Sequence, residues 1–107
     1  MPNDWWENET TSLVEGFDSE IISDKVVKFL GNHNESEPLF LYVAFPIPAA
    51  PIESPKKYSK KYPNIKPKIK KDYYGMVDAL DQAIGNIVRT LKEKEMWENT
   101  LLIFHSD

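Results

Sequence analysis

The chain has 107 residues, 41% of them hydrophobic and 28% charged, so it allows one domain with a modest core. It contains no cysteine, which excludes disulfides, thiolate metal ligands and a cysteine nucleophile and leaves the redox compartment open; no run of 18 apolar residues is present, so no membrane span is expected. The net charge of −4 hides segregation: residues 1–55 carry ten acids and two bases, residues 56–71 carry eight lysines and no acid, and residues 72–107 carry seven acids and three bases.

Residues 1–17 hold Trp5, Trp6 and several acids without a clear period, and read as an irregular lead-in. Met1–Trp6 has neither a basic n-region nor an apolar h-region, so no signal peptide is read there. A helix is predicted over about 18–31, with Ile22, Val26, Phe29 and Leu30 on one stripe. Asp18 or Ser19 would cap its start, and Gly31 with Asn32 suits its end. Residues 32–38 form a polar turn. The continuous apolar run 39–45, LFLYVAF, follows a proline and reads as a strand buried on both faces.

A loop over 46–71 comes next. Pro46, Pro48 and Pro51 forbid a helix or central strand there. The lysine block 56–71, KKYSKKYPNIKPKIKK, has no clean period and reads as an exposed connection. Apolar residues then recur at three and four from Tyr73 through Leu91, predicting a helix over about 72–95. Gly75 and Gly85 each cost it roughly 1 kcal/mol against alanine, and suggest close packing on a sheet. Trp97–Asn99 turns the chain, and 100–104 is a second strand. Strand, helix and strand in this order predict a right-handed βαβ crossover with parallel strands, an α/β arrangement. Two strands and two helices do not close such a sheet, so the expected state is part of a larger architecture.

Candidate chemistry is sparse. Asp107 ends the second strand, where α/β proteins place their sites, and is a candidate metal ligand; the competing reading is a simple cap. His105 reads as a half-buried, hydrogen-bonded histidine ahead of a catalytic one, and His33 as solvated. Asp78 and Asp81 share a helix face, suiting acid–base work or, more simply, solvent. Asn8-Glu-Thr and Asn34-Glu-Ser fit the glycan acceptor pattern. The lysine block, interleaved with Tyr58 and Tyr62, could meet a polyanion, but no nucleic-acid-binding module is recognisable.

Three stretches taken together, PLFLYVAF at 38–45, YYGMVDALDQAIGNIVRTLKEKEMWENTLLIF at 73–104 and the closing Ser106-Asp107, resemble the sulfatases of the arylsulfatase B type. The resemblance covers roughly 18–107. It implies an alkaline-phosphatase-like α/β sandwich, of which this chain would be a fragment of the N-terminal catalytic domain. It also implies hydrolysis of sulfate esters, with sulfated glycosaminoglycans among the substrates. The family nucleophile is a formylglycine made from cysteine, and its calcium is held by acidic residues and an Asn. Ser106 and Asp107 match the first half of the family's Ser/Thr-Asp-Asn-Gly metal motif, which makes Asp107 the implied calcium ligand. Sequons and family together imply the secretory route, to lysosome or extracellular space.

Two departures stand out. Ala49 occupies the place of a family histidine that contacts the sulfate, and His105 replaces a small hydroxylated or apolar residue. The expectation is therefore a sulfuric ester hydrolase fragment, inactive as this chain alone. The alternative is a non-catalytic relative that binds sulfated glycans through 56–71. A small cytosolic interaction module would leave the metal half-motif unexplained.

Overall fold

The computed structural model describes residues 5–8, 10–12 and 16–106. Two strands, β1 (Trp5–Glu7) and β2 (Thr10–Ser12), pair antiparallel with Trp6 opposite Thr11. The segment expected to be irregular thus contains a short hairpin. Asn8 in its turn has φ 55°, a left-handed conformation that Asn tolerates better than most residues.

Helix α1 spans Asp18–Gly31. A single helical turn, α2 (Lys56–Ser59), lies inside the segment read as an open connection, and helix α3 spans Lys68–Glu93. Helix α3 begins one turn earlier than its apolar period suggested. Pro67 sets its N-cap, and Lys68 pairs with Asp72 across that first turn at 2.6 Å.

Helices α1 and α3 pack through small residues at one end and large ones at the other. Ser19, Ser23, Ala79 and Ala83 are all buried, and Ser23 Oγ donates to the Ala83 carbonyl at 3.2 Å. Val26, Leu30, Ile87 and Leu91 form the apolar core beyond them. The buried stripe of α1 omits Phe29, which is half exposed and stacks beside His33.

The runs 39–45 and 100–104 were expected to be parallel strands buried on both faces. Among the described residues neither forms a ladder, and the β1–β2 hairpin is the only paired sheet. Exposure alternates along the first run nevertheless. Leu39, Val43 and Phe45 pack on the helical core, while Phe40 and Tyr42 are 91% and 71% exposed. This is the period of an extended chain with one face covered. In the second run Leu101, Ile103 and Phe104 are 86%, 72% and 69% exposed. A ladder requires a hydrogen-bonded neighbour, and apolar composition alone cannot supply one.

Gly75 makes a close approach, though not to a sheet. A Cβ there would collide with Ser54 Oγ and lie 3.1 Å from the Ser59 backbone nitrogen. The approach seats the loop and α2 on α3. Gly85 has open space around it.

Candidate functional site

The loop 46–51 leaves the carboxyl end of the first extended run, and residues 105–106 leave the end of the second. Ala49, Ala50, His105 and Ser106 are all exposed. His105 was expected to be half-buried and hydrogen-bonded; among the described residues it has no hydrogen-bond partner, because no neighbouring strand covers it. Asp107 lies outside the described residues. A methyl group at position 49 can neither donate a hydrogen bond nor carry charge toward an anionic oxygen.

Calcium takes six to eight oxygen ligands. Among the described residues no group of three or more His, Asp or Glu side chains is placed to hold a metal. The described donors therefore do not by themselves form the calcium site that the sulfatase resemblance implies.

Asp78 and Asp81 do not act as a carboxylate pair. Asp78 accepts from Tyr62 Oη at 2.7 Å, Gln82 Nε2 at 3.0 Å and Lys61 Nζ at 3.1 Å, while Asp81 stays exposed. Partial burial alone would raise the Asp78 pKa. The bonds from Tyr62, Gln82 and Lys61 outweigh it and hold the carboxyl below its ordinary range. A second anchor lies on α1. Glu20 accepts from Tyr58 Oη and pairs with Lys57. Burial opposes these contacts too, and again they prevail, lowering the Glu20 pKa.

These anchors sort the eight lysines of 56–71. Lys57, Lys61 and Lys68 are tied to Glu20, Asp78 and Asp72. Lys56, Lys60, Lys66 and Lys70 are exposed and have no acidic partner among the described residues, and half-buried Lys71 has none either. The first turn of α3 carries basic residues and no acid, the reverse of what the helix dipole favours. Sequence reading found the charge and missed the sorting, since two of the three partners lie on other elements, 37 and 17 residues away along the chain.

The sequon residues both lie in turns. Asn8 is exposed in the β1–β2 turn. Asn34 is exposed after α1, and its Oδ1 accepts from Ser36 N at 3.0 Å and Ser36 Oγ at 2.8 Å.

A family model described as Sulfatase matches residues 1–107. Arylsulfatase J of Mus musculus is 31% identical over 91 residues, covering 85% of this chain and 15% of its own length. The uncharacterized sulfatase YdeN of Escherichia coli K12 is 26% identical over 105 residues, covering 95% of this chain and 19% of its own. The crystal structure of Ps i-CgsB superposes with a TM-score of 0.81 at 31% identity, covering 86% of this chain and 21% of that one. Its complex with k-i-k-neocarrahexaose gives 0.80 at 30% identity. The chain thus spans 15–21% of the length of these proteins. With the match running over residues 1–107 and the helical arrangement shared with a solved relative at 31% identity, the chain belongs to the sulfatase family.

Proposed function

We propose that residues 1–107 are part of a calcium-dependent sulfuric ester hydrolase of the arylsulfatase type, and that they do not turn over sulfate esters alone. The observation that carries this reading is the 0.81 TM-score at 31% identity to Ps i-CgsB over 86% of the chain. In the assembled protein the runs 39–45 and 100–104 are neighbouring parallel strands of an α/β sheet. The bare side of 39–45, opposite its helix-facing side, supports that placement. Asp107 then contributes one metal ligand among several supplied from elsewhere. Covalent sulfate transfer needs an activated nucleophile, and without cysteine this chain has no precursor of the family's formylglycine. The oligosaccharide bound to Ps i-CgsB supports a sulfated glycan as the substrate. The two sequons support the secretory route, to lysosome or extracellular space.

A second reading, a non-catalytic binder of sulfated glycans, is favoured by Ala49 and by the exposed lysines of 56–71 that lack acidic partners among the described residues. One assay separates the two: release of nitrocatechol from its sulfate, with and without calcium. It is run on residues 1–107 and on a chimera in which 18–107 replaces the matching segment of an active sulfatase. The hydrolase reading expects no turnover by 1–107, weak turnover by the chimera, and a gain of tenfold or more on Ala49→His in the chimera, since one charged hydrogen bond to a developing anion is worth roughly 2.7–4 kcal/mol. A folded chimera that is silent both before and after the Ala49→His substitution supports the binder. Calcium-dependent turnover by 1–107 alone overturns the claim of inactivity.

A further inference from the structure

We propose that Lys56, Lys60, Lys66 and Lys70 form an accessory surface that holds a polysulfated glycan chain near the 46–51 loop, gripping a part of the chain away from the ester to be cleaved. The use of that surface on a substrate rests on the hydrolase reading above; the binding itself does not.

Tertiary contacts turn the lysine-rich segment 56–71 into a fixed cationic arm. Helix α2 is held on two sides. Toward α1, Glu20 accepts from Tyr58 Oη and pairs with Lys57. Toward α3, Asp78 accepts from Tyr62 Oη at 2.7 Å and from Lys61 Nζ at 3.1 Å. Lys57 and Lys61 also fold back over the Tyr58 ring, with Nζ 5.2 and 6.0 Å from its centroid. Asp72, and after it Glu53, raises the pKa of Lys68, the third paired lysine. Lys56 and Lys60 are left one helical turn apart, with Lys60 N bonded to the Lys56 carbonyl at 2.8 Å. Side chains at this spacing share a face. Lys66 and Lys70 stand on either side of Pro67 at the start of α3. All four are exposed, and none has an acidic partner among the described residues.

The tyrosines decide the chemistry of the partner. In the sequence Tyr58 and Tyr62 interleave the lysines, as stacking residues do in a groove for single-stranded nucleic acid. In the structure Tyr58 is buried, and the Tyr62 ring meets Tyr74 edge-on at 5.5 Å with its hydroxyl committed to Asp78. Neither ring is left for a base to stack on, so the arm offers point charges. Ammonium groups on flexible stems suit sulfates repeated along a sugar chain, where no base edge has to be matched. Lys56 follows Ala49 by seven residues, so the two lie no more than about 25 Å apart at 3.6 Å per residue. A chain of several sugars spans that gap, with one ester at the loop and its neighbours on the arm. Contacts that are equal before and in the transition state lower KM and leave kcat alone.

Binding of a fluorescent heparin oligosaccharide to residues 1–107 is followed by anisotropy across a salt series. Two double variants remove the same charge from exposed lysines: Lys56→Gln with Lys60→Gln on the arm, and Lys25→Gln with Lys28→Gln on α1. The arm pair is expected to weaken binding roughly fivefold or more and the α1 pair by less than about twofold, with unfolding midpoints unchanged in both. Equal weakening by the two pairs overturns the proposal. So does a tighter hold, at the same salt, on single-stranded DNA of matched charge or on phosphatidylserine vesicles than on heparin. In an active chimera the arm pair should raise KM for a sulfated polymer several-fold, leave its kcat unchanged, and leave both constants for nitrocatechol sulfate unchanged. An equal change for polymer and aryl sulfate overturns the accessory role. A silent chimera counts against the hydrolase reading, and the binding comparison then decides the surface by itself.

Discussion

The Tyr62 hydroxyl donates to Asp78 Oδ2 at 2.7 Å, and this bond holds the basic arm against the middle of α3. Lys61 and Gln82 converge on the other oxygen of the same carboxylate. Asp78→Asn keeps one acceptor and loses the charge. It is expected to cost about 1 kcal/mol, because the site is only partly buried. Thermal unfolding followed by circular dichroism measures it, and an unchanged midpoint would remove the anchor role.

Asp78 and Glu20 together set an acid limit. Both have folded-state pKa values below their ordinary 3.8 and 4.5. Groups depressed by folding contribute stability above their unfolded pKa, and that contribution is lost as pH falls through the folded value. Stability should therefore hold from neutral pH to about pH 5 and decline below about pH 4. Asp78→Asn should flatten that decline. A decline of equal slope in the variant would assign it to other groups.

The glycines of α3 should respond oppositely. Gly85→Ala meets nothing within 4 Å and should stabilise by about 0.5–1 kcal/mol through helix propensity. Gly75→Ala should destabilise by about 1–3 kcal/mol, as its methyl strikes Ser54 and crowds the Ser59 backbone. Ser54 Oγ is buried without a partner among the described residues, so Ser54→Ala is expected to be neutral alone and to recover part of the Gly75→Ala loss. Urea midpoints of the three single variants and the Gly75→Ala, Ser54→Ala double variant test the set.

Polyanion binding should follow the sorting of the lysines. Replacing Lys56, Lys60, Lys66 and Lys70 with Gln should markedly lower the salt needed to elute the chain from heparin, with the unfolding midpoint unchanged. Replacing Lys57, Lys61 and Lys68 should lower the midpoint more than the elution salt. An equal drop in elution salt per lysine removed in the two variants would show a response to net charge alone.

The outward faces of the two extended runs should make the chain bind an apolar dye and self-associate. Phe40→Ser with Ile103→Ser should reduce dye fluorescence and light scattering at little cost in stability, since both side chains are exposed. Val43→Ser, on the helix-facing side, should instead lower the unfolding midpoint. A fall in fluorescence caused by Val43→Ser alone would place the apolar surface elsewhere.

The sequence by itself determined both long helices and the family. Helix signals are local: the apolar recurrence from Tyr73 through Leu91 is read within one segment, although it placed the start of α3 one turn late. The ordered stretches at 38–45 and 73–104 carried the sulfatase resemblance in the same way. Only the folded structure decided the rest, because it depends on which groups meet and not on the composition of one segment. It closed a hairpin at Asn8, seated α2 against Gly75, and chose which lysines Glu20, Asp72 and Asp78 neutralise. It also left 39–45 and 100–104 without a ladder, because strand pairing needs backbone donors and acceptors on an adjacent chain segment. Apolar side chains can bury one face of such a run on helices, as Leu39, Val43 and Phe45 do, but they cannot supply those hydrogen bonds.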